Sequence, residues 1–507
     1  MTSFTNPSSM QAGVSDDPVA LLQYRRGGDS RPAYLRELVL YDARRLSGVV
    51  KRREVSCVEV METFLDHIEE HNHSVNAIVE LRGRSELLAE AAQRDQQLQR
   101  GEYLGWMHGF PHAAKASAKG LRETWGSPIY KNQIATTDDL LVKRIKDAGA
   151  IVIGKTNMPE FGLGSQTYNL LYGATATPYD TNRTAGGSSG GAASALALRM
   201  VPVADGGDHM GSLRNPAAFC NVVGFRPSWG RIPSPGFVAR GSVSGPMGRC
   251  VADVAMLLAT MAGPDPSAPL AIDEDPEVFT QTLDRDFRGT RIAYVDDWDG
   301  YLATEPGILD LIESSFGAFE RLGCTVKRAL PQYDPAEIWQ LFLVWRWWSM
   351  TKYASLLDDP EKRKLMKPEL IWEIEHGLKL SARDVTEAAE ARVAWYQAVT
   401  AMFYQYDYVL APSTQVFPFD KLIHWPSSIA GREMDTYHRW METVAPWSMT
   451  GHPVAAMPVG FDGRGLPTGV QIIGRHRGDR AVLQLAHAFE KQTRWVERVP
   501  PPALRQN

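Results

Sequence analysis

Two serines framed by glycine pairs, in the run Arg183-Thr184-Ala185-Gly186-Gly187-Ser188-Ser189-Gly190-Gly191, have the residue types of nucleophilic chemistry. A third lies in Asp208-His209-Met210-Gly211-Ser212-Leu213-Arg214, with Ser212 following Ser188 by 24 positions. A serine nucleophile needs a base to take its proton and a set of donors for the oxyanion formed as it attacks. Lysine can be that base where burial disfavours its charged form. Lys115 sits between Ala113-Ala114 and Ala116, which bring no counter-charge. Spacing alone leaves it an ordinary surface lysine, the commoner fate of that residue.

Glycine lets a backbone take positive φ and approach another backbone closely. The glycine-rich run leads into Ala192-Ala193-Ser194-Ala195-Leu196-Ala197-Leu198, so it reads as a tight loop opening a buried helix with free amides at its start, and a flexible linker is the weaker reading. Two motif matches mislead. Gly149-Ala150-Ile151-Val152-Ile153-Gly154-Lys155-Thr156 satisfies G-x-x-x-x-G-K-[ST], but its middle residues are themselves a buried strand, not a loop of exposed amides. Gly186-Gly187-Ser188-Ser189-Gly190 fits G-x-S-x-G, yet an elbow needs a buried strand before it, and Pro178 to Thr184 is polar. A Ser-His-Asp hydrolase is therefore the weaker reading.

Around these stretches the pattern predicts a helix opened by the capping box Ser56-Cys57-Val58-Glu59, with Val58, Met61, Leu65 and Ile68 on one face. Further helices are expected over 85–99, 140–148, 251–261 and 479–492, and strands over 150–153, 291–295, 408–411 and 469–473. Of 14 tryptophans, nine fall between 335 and 450, a density that fits either an aromatic cap and substrate wall or ordinary core. The alternation implies an α/β fold whose mixed, mostly parallel central sheet carries helices on both faces. The expected organisation is an N-terminal arm over 1–35 and one domain over 36–500, with a chemical core at about 105–262 and a Trp-rich helical cap insertion at about 335–450.

The bulk properties exclude several classes. A net charge of −5 without a basic run argues against nucleic acid or an anionic membrane as partner. Cys57, Cys220, Cys250 and Cys324 are scattered, so neither a zinc site nor a disulfide framework is expected. With no signal-peptide pattern and no run of 18 apolar residues, a cytoplasmic protein is expected.

Several blocks in order resemble one family: Gly109-Phe110-Pro111-His112-Ala113-Ala114-Lys115, Gly154-Lys155-Thr156-Asn157-Met158-Pro159-Glu160-Phe161, Gly186 to Gly191, Gly211 to Ala217, Val223-Gly224-Phe225-Arg226-Pro227, Gly245-Pro246-Met247, Asp253 and Leu466 to Gly474. The chain is similar over about 40–495 to the amidase signature family, and in type to its aryl acylamidase, urethanase and nylon-oligomer hydrolase members. The resemblance implies hydrolysis of a small amide without metal or cofactor, through Ser212 as acylated nucleophile, Ser188 after a cis Gly187–Ser188 bond as proton bridge, and Lys115 as base. It further implies an oxyanion hole from the N–H groups of His209, Met210, Gly211 and Ser212. Ser189 would orient the lysine, and Asp208 would bond loop amides.

The family usually has a small residue where Met210 stands and an aspartate where Ala116 stands; the Met210 side chain is expected to narrow the acyl pocket, and His209 to contact substrate. The expected partner is a small-molecule amide; a homodimer stays open. Two rivals also stay open: a component of a transfer-RNA transamidation complex, and a non-catalytic binder on the same fold.

Overall fold

The protein is described here as a computed structural model, over residue 35 and residues 37–238 and 241–505. The arm expected at 1–35 lies outside the described residues, apart from Leu35, which is buried.

Ten strands matter for the site. They are β1 (Pro111–Ala114), β2 (Ile151–Lys155), β3 (Ala204–Asp208), β4 (Val223–Arg226), β5 (Val243–Gly248), β6 (Arg291–Tyr294), β7 (Thr325–Arg328), β8 (Tyr408–Pro412), β9 (Val454–Phe461) and β10 (Pro467–Ile473). The last eight form one sheet in the order β7-β6-β8-β10-β9-β4-β5-β3. It is mixed, as expected, but not mostly parallel. Only β6 pairs in parallel with its neighbours β7 and β8, and the five other pairings are antiparallel. Part of the reason lies in the connections: β9 and β10 are joined by residues 462–466, too short for the crossover that parallel neighbours require. β1 and β2 pair in parallel as a separate ribbon.

Successive side chains of a strand face opposite ways, and the central strands show it. Tyr408 and Leu410 of β8, with Ile292 and Tyr294 of β6, enter one core, while Val409, Ala411 and Ala293 enter the other. The first core is covered by the helices Cys57–Val75, Val251–Met261 and Asp479–Thr493. The Cys57–Val75 helix starts with the Ser56–Glu59 capping box. The second core is covered by Pro335–Met350, Ala382–Gln405 and Ala445–Thr450.

The Trp-rich segment supplies much of the second core, interrupted by β8 at the sheet, and its Met350, Leu356, Met366, Leu370, Ile374 and Tyr437 pack with Leu163 in a smaller third one. Trp339, Trp345, Trp395, Trp440 and Trp447 are buried core, and Trp347, Trp348, Trp372 and Trp425 are partly exposed. No helix among the described residues is long and apolar enough to cross a membrane. No group of three or more His, Cys, Asp or Glu among them is arranged to hold a metal ion.

Candidate active site

Three short elements bring the serines and the lysine together. Lys115 directly follows β1. Ser189 caps the helix Gly190–Ala197, every residue of which is buried. At Gly191 a methyl group would collide with the backbone of Asn157 and Ala77, so only glycine lets this helix start so close to its neighbours. Ser212 lies in the turn between β3 and the short helix Arg214–Phe219.

Lys115 Nζ lies 2.7 Å from Ser188 Oγ and 2.8 Å from Ser189 Oγ. The Gly187–Ser188 peptide is cis. Ser189 is fully buried and its N–H donates to the Ser212 carbonyl at 3.2 Å, which ties the two serine segments together. Burial lowers the Lys115 pKa to about 7, against the opposing pull of Asp205 and then Asp208. The counter-charges missing from the local sequence thus come from β3. The Asp205 carboxylate accepts from Lys115 N–H at 3.0 Å and Ala116 N–H at 2.9 Å, and bonds His112 Nε2 at 3.0 Å. Against burial, which would raise it, those bonds hold the Asp205 carboxyl below its ordinary pKa.

The turn carrying Ser212 is held by Asp208. Its Oδ1 accepts from Gly211 N–H at 2.9 Å and its Oδ2 from Leu213 N–H at 3.1 Å. Of the four amides expected to face an oxyanion, the Gly211 N–H is thus committed to shaping the turn. Gly211 has φ +85°, and a side chain there would run into Asn215 Oδ1. Asp208 is itself held by buried guanidiniums: Arg214 Nε donates to Oδ2 at 3.0 Å, Arg214 Nη2 to Oδ1 at 2.9 Å, and Arg226 Nη1 to Oδ1 at 3.2 Å. Arg214 continues to Gln471 Oε1 of β10 at 2.7 Å and Ser448 Oγ at 2.6 Å. Burial would raise the Asp208 pKa, but the two arginines hold it well below the carboxylate range.

The two unusual residues of the turn pack beside the second core. Met210 is buried among its apolar side chains. The His209 ring faces Phe342 at 6.2 Å with Nε2 buried and unpartnered. Burial, then Arg346 and Arg226, pushes its pKa far below the ordinary value. Lys155, the lysine of the apparent phosphate motif, sits at the buried end of β2. Its Nζ donates to the carbonyls of Lys115 at 3.1 Å and Ala116 at 2.5 Å and pairs with Glu123 at 3.6 Å.

Sequence reasoning missed an aromatic cluster beside the serines. A Cβ at Gly162 would lie 3.7 Å from Ser188 Oγ, so the chain passes directly by that serine. The preceding Phe161 packs edge-on against Tyr130, ring centroids 6.0 Å apart, and tilted against Tyr353 at 4.9 Å and Trp125 at 6.3 Å. All four rings are partly exposed. Their positions run from 125 to 353, and three lie outside the Trp-rich segment.

Comparison with known proteins finds relatives along most of the chain. The Amidase family model matches residues 59–483. An acylamidase from Rhodococcus erythropolis is 33% identical over 472 residues, covering 91% of this chain and 97% of the relative. A glutamyl-tRNA(Gln) amidotransferase component from a Picosynechococcus species is 29% identical over 489 residues, covering 88% and 97%. Among solved structures, a bacterial aryl acylamidase of the amidase signature family superposes with a TM-score of 0.84 at 27% identity, over 91% of this chain and 98% of that one. A 6-aminohexanoate cyclic dimer hydrolase shares the fold, with a TM-score of 0.80 at 23% identity over 92% of this chain and 100% of that one. A match across most of the chain, with the serine and lysine blocks gathered at one place, makes this protein a member of the amidase signature family and an amide-hydrolysing enzyme.

Proposed function

We propose that the enzyme hydrolyses small hydrophobic linear amides through an acyl-enzyme on Ser212, with Ser188 as proton bridge and Lys115 as general base. Neutral Lys115 takes a proton from Ser188, which takes one from Ser212 as its Oγ attacks the carbonyl carbon. The amides of Met210 and Ser212, with that of His209, stabilise the oxyanion. Ser188 then returns the proton to the leaving amine, and water releases the acyl group. Ser189 holds the Lys115 amine from its second side.

The observation that carries this reading is the 2.7 Å approach of Lys115 Nζ to Ser188 Oγ with a pKa of about 7, which leaves a large neutral fraction of the amine near neutrality. The rings of Trp125, Tyr130, Phe161 and Tyr353 form the wall that favours aryl or alkyl groups. Carbamates and activated esters share the tetrahedral chemistry and are expected as secondary substrates.

Mass spectrometry after a fluorophosphonate probe tests the assignment. The adduct is expected on Ser212, absent from Ser212→Ala and formed far more slowly in Lys115→Ala; an unmodified Ser212 in active enzyme overturns it. A p-nitroanilide, a phenyl carbamate and a p-nitrophenyl ester assayed together define the substrate range. The amidotransferase relatives raise a second reading, a component of a transamidation complex. Amide turnover by the isolated chain separates the two.

A further inference from the structure

We infer that Asp205 is a positioning residue for hydrolysis, acting through Lys115: its carboxylate clamps the backbone on both sides of the base and stands as its fixed counter-charge. The inference rests on Lys115 being the base.

The geometry is specific. Asp205 is 1% exposed, second in the edge strand β3, where a buried carboxylate is costly unless it is well hydrogen-bonded. Its oxygens take the N–H groups of Lys115 and Ala116, about ninety positions away in the chain, together with His112 Nε2. It therefore grips the chain just past β1 at the base residue and the one after it, through the peptide units on either side of the Lys115 Cα. Lys155 grips the same two residues by their carbonyls. Donors and acceptors of the base's own peptide units are thus both engaged by buried charges.

Asp205 also differs from the other charges near the amine. Asp208 is bound by two guanidiniums, which offset its charge locally. Lys155 has Glu123 as partner, and Ser188 and Ser189 are neutral. Asp139 acts on Lys155, and the carboxylates that act on the Lys115 amine are Asp205 and Asp208. Among the described residues facing Lys115, Asp205 is the carboxylate whose side-chain partner is an imidazole instead of a guanidinium or ammonium.

The consequence has a definite sign. Protonated Lys115 is inactive, so turnover rises with pH through the amine's pKa of about 7. Asp205 holds the proton on the amine; removing its charge frees the amine at lower pH. Asp205→Asn keeps an acceptor for one N–H and is nearly isosteric. In that variant the acid limb of kcat/KM on a p-nitroanilide is expected to move down by about one pH unit. The plateau is expected to fall about tenfold, because a weaker, less firmly held base transfers protons less effectively. Asp205→Ser is the second variant, since its hydroxyl still accepts from one amide.

A purely structural carboxylate predicts a lower plateau with the limb unmoved, and that result in a folded variant overturns the inference. Failure of both variants to fold, read by thermal unfolding, counts against it equally. Lys115→Ala separates the layers. Wild-type turnover there removes the base assignment itself, whereas an inactive Lys115→Ala with an unmoved limb in Asp205→Asn removes only the role of Asp205.

Discussion

At the scale of single residues, the proposed chemistry depends on an amine that is largely uncharged just above neutral pH. Because burial lowers the Lys115 pKa to about 7, wild-type kcat/KM should fall about tenfold from pH 7.5 to pH 6, with the base protonated on the acid side. A pH-rate profile on a p-nitroanilide checks this. Replacing Lys115 by alanine should cost about 10²–10⁴-fold in kcat/KM across the whole profile, the range of a lost general base. Phe161 tests the substrate wall: Phe161→Ala should raise KM for aryl amides about tenfold while leaving small aliphatic amides near wild type, since only the ring contacts are lost. Lys115, Ser188 and Ser212 were singled out through the family resemblance of the blocks that carry them, whereas spacing alone left Lys115 an ordinary lysine; the structure brings its amine to 2.7 Å from Ser188 Oγ. Asp205 and the Phe161 cluster were not, because their partners lie on other elements and no local spacing encodes them.

At the scale of elements, the turn between β3 and the Arg214–Phe219 helix is the part under most constraint. Asp208 shapes it while neutralising two fully buried arginines. Asp208→Asn should therefore destabilise the fold by about 3–5 kcal/mol, the cost of leaving a buried charge without its partner. Urea unfolding followed by tryptophan fluorescence measures that loss, and nucleophile reactivity toward a fluorophosphonate should drop with it. Helix and strand positions were mostly readable to within a residue or two, as with Val251–Met261, because hydrophobic periodicity and caps are local. Strand direction was not: the β6 and β8 pairing is parallel, but β4, β5, β9 and β10 pair antiparallel, and nothing in a strand's own residues distinguishes the two.

At the scale of the whole molecule, one sheet separates two cores, and the tryptophan-rich layer belongs chiefly to the second. Trp395 is fully buried, packs near Trp298 and Trp447, and donates from Nε1 to the Pro446 carbonyl at 2.8 Å. Trp395→Ala should cost about 3–5 kcal/mol of stability, with KM little changed in the remaining folded enzyme. Thermal unfolding alongside steady-state kinetics distinguishes that from a wall residue such as Phe161. Composition could show that the segment is rich in tryptophan, but not which rings face inward, since that depends on how the helices Pro335–Met350 and Ala382–Gln405 lie on the sheet.

The reach of Arg214 to Ser448 and Gln471 has a temporal meaning as well. Ser212 is specified before residue 220, yet the side chains that brace its loop through Arg214 are translated more than two hundred residues later. On the proposed reading, a nascent chain carries the reacting groups well before that brace, and amide hydrolysis is expected to start only once residues 448 and 471 have folded against the turn.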